Sequence, residues 1–100
     1  METELQRIGL IAGGGQFPRL FARKAMQKGY RVIAAGFHSE TDKDLANDVD
    51  SLKWLYLGQV NKLLKYFKSH GVTEAAMLGT IQKTNIFKDI RPDFKALAFI

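Results

Sequence analysis

Apolar residues gather in four short runs, Ile8 to Gly13, Val32 to Gly36, Trp54 to Gly58 and Ala75 to Gly79, each ending in glycine. The intervals between the terminal glycines are nearly equal, and each holds about one strand, one helix and short loops. Val32-Ile33-Ala34-Ala35 is continuously apolar, without the in/out alternation of a half-exposed strand. Such runs suit a parallel sheet covered on both faces. The pattern predicts successive βα units.

The segments between the runs change to a helical period. Phe17, Leu20, Phe21 and Ala25 recur on one face, and Lys28-Gly29 supplies a closing cation and a C′ glycine. Val60, Leu63, Leu64 and Phe67 repeat the pattern, with Lys62, Lys65 and Lys68 outside and His70-Gly71 at the end. Those lysines suit a solvated face and a favourable interaction with the helix dipole. The fold class expected is therefore α/β: a Rossmann-like, doubly wound, mainly parallel sheet of about four strands, helices on both faces, the first strand central.

Two stretches fit that scheme less directly. Ser39 to Asp50 is acidic, with little apolar face beyond Leu45 and Val49. It is expected to be a short helix or structured loop, with Asp42, Asp44, Asp48 and Asp50 on a solvated surface. Near the other end, Pro92 and Asp93 look like a first helical turn and Phe94, Leu97 and Ala98 like a buried face. A final helix of that kind predicts either a truncated chain or a surface meant for another domain.

Composition narrows the class without choosing a function. A chain of 100 residues makes one domain, and 46% hydrophobic against 25% charged residues places it among ordinary globular proteins. The net charge of +5 suits anionic partners of several kinds, but the lysines form no continuous run. Without cysteine there are no disulfides, thiolate metal sites or Cys nucleophiles. The polar, acidic N-terminus is not a secretory signal, so a cytoplasmic protein is expected.

Right-handed crossovers bring every strand's carboxyl end to one edge of the sheet, where open α/β sheets bind ligands. Four loops are candidates: Gly13-Gly14-Gly15-Gln16, Gly36-Phe37-His38-Ser39, Gly58-Gln59-Val60-Asn61 and Gly79-Thr80-Ile81-Gln82-Lys83. The first has the shape of a phosphate loop, a strand breaking into glycines before a helix whose first N–H groups are unpaired. Pro18 stands where a dinucleotide loop has its third glycine, and the Lys-Ser/Thr pair of an ATP loop is missing. Gly36-Phe37-His38 occupies the place of the acidic ribose ligand. NAD and ATP are thus disfavoured, and a turn without ligand is the alternative. The candidate binding residues are Gly13, Gly14, Gly15, Gln16, Gly79, Thr80, Gln82 and Lys83. Gln16 and Gln82 offer amides, Thr80 a hydroxyl and Lys83 a point charge for phosphate. No catalytic residue and no metal cluster is assigned; His38 lacks an assignable carboxylate partner.

Assembled, Ile8 to Gly13 with Gln16-Phe17-Pro18, Glu40-Thr41-Asp42, Leu57-Gly58-Gln59, Met77-Leu78-Gly79 with Lys83, and Arg91-Pro92-Asp93 resemble the N-terminal domain of the LpxI family, from about Arg7 onward. The resemblance implies a UDP-2,3-diacylglucosamine pyrophosphatase of lipid A biosynthesis, releasing UMP and 2,3-diacylglucosamine 1-phosphate with Mg²⁺ assistance. It also implies a second, C-terminal domain that holds the metal ligands and catalytic acids and is not in this chain. Residues 1–100 then form the substrate-binding wall, inactive alone. The implied partners are the nucleotide-lipid substrate, that C-terminal domain and, peripherally, the inner membrane, but no nucleic acid. Phe17, Phe37, Ile86 and Phe87 could supply apolar surface near the phosphate site, or else pack in the core. The alternative function is a non-catalytic Rossmann-like module binding a nucleotide or a partner protein.

Overall fold

The computed structural model describes residues 6–80 and the strand at 97–99. Chain order is β1 (Arg7–Ala12), α1 (Phe17–Gln27), β2 (Arg31–Phe37), a 3-10 helix (Lys43–Asp48), β3 (Ser51–Leu55), α2 (Val60–Ser69), β4 (Ala75–Leu78) and β5 (Leu97–Phe99). The five strands lie in the order β3-β2-β1-β4-β5, every pair parallel. β1 is central, as expected. None of the helices among the described residues is long and apolar enough to cross a membrane.

Alternate residues of β1 and β2 feed two cores. Leu10, Ala12, Val32 and Ala34 face α1 and the 3-10 helix, meeting Ala22, Ala25 and Leu45. Ile11, Ile33, Ala35 and Phe37 face α2, meeting Val60, Leu63, Leu64 and Phe67. Both faces of the central strands are dry, which explains their uninterrupted apolar sequence. Each fully buried Leu, Ile or Phe contributes about 1.5–3 kcal/mol. On the α2 side the phenol of Tyr66 donates to the Ala34 carbonyl at 2.9 Å, so the Ser51 hydroxyl at 2.7 Å must be the donor to Tyr66. Burial pushes the Tyr66 phenol above its ordinary pKa, against the opposing pull of the Ser51 hydrogen bond.

Four expectations need correction. The buried face of α1 is Pro18, Ala22 and Ala25, while Phe17 and Leu20 are 69% and 52% exposed. Small residues let the helix approach the sheet closely, and the large ones are left outside. β3 begins at Ser51, not Trp54, and Gly36 lies within β2, paired with Ala12 and Trp54. β3 is an edge strand with one buried residue, Leu55, so its sequence alternates with polar residues and the apolar run around it was a poor guide to its ends. Leu97–Phe99 is not helical: it pairs with Ala75, Ala76 and Met77 as a fifth strand. A short apolar run fits strand and helix equally, and here the open edge of β4 decides it. The helix start expected at Pro92 to Phe94 lies outside the described residues.

The fourth correction concerns the acidic linker, which is more than a solvated face. The Asp42 side chain accepts from the Asp44 N–H at 2.8 Å and caps the 3-10 helix. Asp50 accepts from the Val32 N–H at 2.8 Å. Asp48 accepts from the Nε atoms of Arg19 at 2.7 Å and Arg23 at 3.1 Å, tying the linker to α1. Arg19 also lies 3.8 Å from Asp42 and 3.9 Å from Asp44.

This tie sets an acid dependence. Burial raises the Asp48 pKa, but hydrogen bonds from Arg19 and Arg23 outweigh it and hold the group below its ordinary 3.8. A carboxyl with a lowered folded-state pKa adds stability above that ordinary value, and the contribution fades as pH falls through the folded-state value. Urea midpoints should therefore drop from about pH 5 downward. Asp48→Asn should be less stable than the parent at pH 7, with a gap that narrows as pH falls below 3.8; a gap that stays constant with pH would sink this account.

Candidate functional site

The carboxyl ends of β1, β2 and β3 open onto a cleft of about 700 Å³. One wall is Gly15 and Gln16 at the start of α1; the others are His38 to Lys43 after β2, and Trp54 on β3. Its size is that of a small-molecule pocket.

The wall at α1 follows from local sequence. Pro18 in the first turn has no N–H to leave unpaired. Gln16 is the N-cap residue yet makes no side-chain capping bond, and the first turn holds no acidic residue. The partial positive charge of the helix start is therefore not offset by a cap carboxylate, and Gln16 keeps its amide available to the cleft. Among the described residues the amides of Gly15 and Gln16 have no intrachain acceptor.

Gly13 and Gly14 do a different job. Their N–H groups donate to the carbonyls of Leu78 at 2.7 Å and Thr80 at 2.9 Å, and the Thr80 N–H returns to Gly14 at 3.2 Å. This short antiparallel bridge locks the β1 and β4 loops together. The structure thus brings Gly13, Gly14, Gly79 and Thr80 into one cluster, with Gly15 and Gln16 beside it facing the cleft. Gln82, Lys83, Ile86 and Phe87 lie outside the described residues.

The β2 loop is held as tightly. The Thr41 hydroxyl, 8% exposed, accepts from the Phe37 N–H at 2.8 Å and donates to the Ala12 carbonyl at 2.6 Å. It fastens the loop after β2 to the end of β1. Ser39 has φ 72, the one non-glycine residue with a left-handed backbone among those described. Such a conformation costs on the order of 1 kcal/mol or more and marks a loop shaped by its surroundings. Phe37 is fully buried and belongs to the core, whereas Phe17, 69% exposed, follows Gln16 in the chain without lining the cleft.

Sequence reasoning missed Arg19 and Thr41. Arg19 matches no motif and Thr41 stood only as the middle of Glu40-Thr41-Asp42 without a role, and each acts through a partner more than twenty positions away. The signal for Arg19 was the acidic linker itself, which needed a cationic counterpart on the helix face. Among the described residues no group of three or more His, Asp or Glu side chains is placed to hold a metal ion. Asp42, Asp44 and Asp48 surround Arg19 instead.

A comparison with curated proteins gave no match. A family model, LpxI N-terminal domain, matches residues 7–100. That span takes in all five strands, both helices and every wall of the cleft. The chain therefore belongs to the LpxI N-terminal domain family.

Proposed function

We propose that this domain is the nucleotide-holding half of a UDP-2,3-diacylglucosamine pyrophosphatase, a cytoplasmic hydrolase that releases UMP and 2,3-diacylglucosamine 1-phosphate. Family membership points to lipid A biosynthesis. The observation that carries the rest is the cleft at the carboxyl edge of the sheet, lined by Gly15 and Gln16 at a helix start.

Phosphoryl transfer requires charge stabilisation on the oxygens and an oriented water. Gly15 and Gln16 provide the first by backbone donation, and the Gln16 amide adds a neutral hydrogen bond. Thr80, with Gln82 and Lys83 beyond the described residues, completes the phosphate end. The Gly13, Gly14 and Gly79 cluster keeps that end rigid. Asp42, Asp44, Asp48 and Asp50 are engaged by Arg19 and Arg23 or by backbone N–H groups, and among the described residues no group of three carboxylates or histidines is placed to hold a magnesium ion. On this reading the metal ligands and the water-activating group are supplied by a C-terminal domain, with Phe17 available to the lipid part of the substrate. Contact with the inner membrane follows from the acyl chains of such a substrate.

The exposed Phe17 and Leu20 also favour a second reading, a Rossmann-like module that docks another protein or domain without catalysis. Titration with UMP, read by amide chemical shifts, separates the two. The nucleotide reading expects shifts at Gly15, Gln16 and Phe17 and across Ser39 to Lys43, with Kd near or below the millimolar range. Unmoved amides at several millimolar UMP would leave the docking module.

A further inference from the structure

Resting on the nucleotide reading, we propose that His38 and Trp54 form the platform on which the nucleotide base stacks, with Tyr56 positioning the His38 ring from behind. His38 follows β2, Trp54 lies on β3 and Tyr56 follows it, so three rings converge where two neighbouring strands end. The His38 imidazole is 4.3 Å from the Tyr56 ring and 5.8 Å from the Trp54 ring, both tilted by about 30° (32° and 31°). His38 and Trp54 line the cleft, while Tyr56 does not and lines with Trp54 a neighbouring groove. The imidazole therefore has one side supported by the phenol and another open to a ligand.

Gly36 makes room for this arrangement. A Cβ there would meet the Trp54 indole at 3.1 Å and the Thr41 methyl at 3.2 Å. The bare backbone lets the indole lie against β2 at the cleft.

Core packing does not explain these rings. His38 is exposed, Trp54 is half-buried and Tyr56 is 62% exposed. Aromatic faces left open in a pocket accept a flat ring by stacking, and every nucleobase offers one. Gly15 and Gln16 at the start of α1 line the same cleft and, on the nucleotide reading, accept its anion. A cleft of about 700 Å³ with an anion end and a stacking end fits a nucleoside monophosphate.

Trp54 is the single tryptophan of the chain, so its fluorescence reports on the platform directly. The experiment titrates the protein with UMP and with ribose 5-phosphate, which lacks the base, following both Trp54 emission and the Gly15 and Gln16 amide shifts. Both ligands should move the amides. Only UMP should change the Trp54 emission, and it should bind about tenfold tighter or more.

His38→Ala should bring UMP down to the affinity of ribose 5-phosphate and leave ribose 5-phosphate unchanged. Tyr56→Phe should retain the preference and Tyr56→Ala should weaken it, because the ring and not the hydroxyl supports His38. All three positions are exposed or half-buried at the surface, and circular dichroism checks that each variant is folded. Equal affinities for the two ligands, or a UMP preference untouched by His38→Ala, overturn the platform and leave the phosphate end standing. Binding of neither ligand overturns both.

Discussion

Replacing Gly79 with alanine is expected to destabilise the domain by about 3 kcal/mol or more. Two effects add. The residue has φ +95, a left-handed backbone that costs a residue with a Cβ about 1–3 kcal/mol. The new methyl would also stand 2.6 Å from the Gly14 carbonyl oxygen and 2.9 Å from the Gly13 carbonyl carbon. Both are backbone atoms of the interlocked loops, so the clash cannot be relieved by rotating a side chain. The ends of β1 and β4 would have to part, loosening the bonds from Gly13 to Leu78 and from Gly14 to Thr80.

Gly29 provides the matched control, since it has φ +93 but nothing within 4 Å of its Cβ position. Gly29→Ala should cost only the backbone term, the same about 1–3 kcal/mol. Urea denaturation of the two variants isolates the clash; equal losses would mean that the loop contact is soft.

Thr41→Val should cost about 2–4 kcal/mol although the volume is nearly unchanged. Its hydroxyl is a buried relay between the Phe37 N–H and the Ala12 carbonyl, and an apolar isostere leaves both backbone groups without this partner. Each orphaned group carries a penalty of about 1–3 kcal/mol. Thr41→Ser keeps the relay and loses only the methyl against Gly36, so it should remain within about 1 kcal/mol of the parent. The Ser39 to Lys43 wall of the cleft hangs on this relay. Hydrogen exchange should show the Phe37 amide opening faster in Thr41→Val than in Thr41→Ser.

The parts of the molecule that the chain announced are those whose burial is two-sided or strongly periodic. β1, β2 and β4 are continuous apolar runs because both of their faces are covered. α2 kept its predicted face, Val60, Leu63, Leu64 and Phe67, and its outer lysines. α1 kept its span and, of its predicted face, Phe21 and Ala25, but not Phe17 and Leu20, because alanines and a proline carry little hydrophobic signal beside those two yet allow close approach. β5 was invisible since three apolar residues have no period.

At the cleft, the glycine loops and their convergence were legible from the βα rhythm. The division of labour within them was not. That Gly13 and Gly14 spend their amides on Leu78 and Thr80 depends on the register between β1 and β4, which only the fold sets. The same holds for Arg19, whose three aspartates come from a loop that reads as solvated when taken by itself.

The all-parallel sheet has a consequence for how the chain acquires its shape. Parallel neighbours cannot be joined by a tight hairpin, so every strand pairing waits for a crossover to form. β1 gains one neighbour early, from β2, but its other comes only when Gly9 meets Ala75. A nascent chain thus carries its glycine loop with the Gly13 and Gly14 amides unclaimed until β4 has emerged, and contacts of such long sequence separation place folding on the slower side for a domain of this size. The loop that shapes the cleft is written near the start of the chain and completed only near its end.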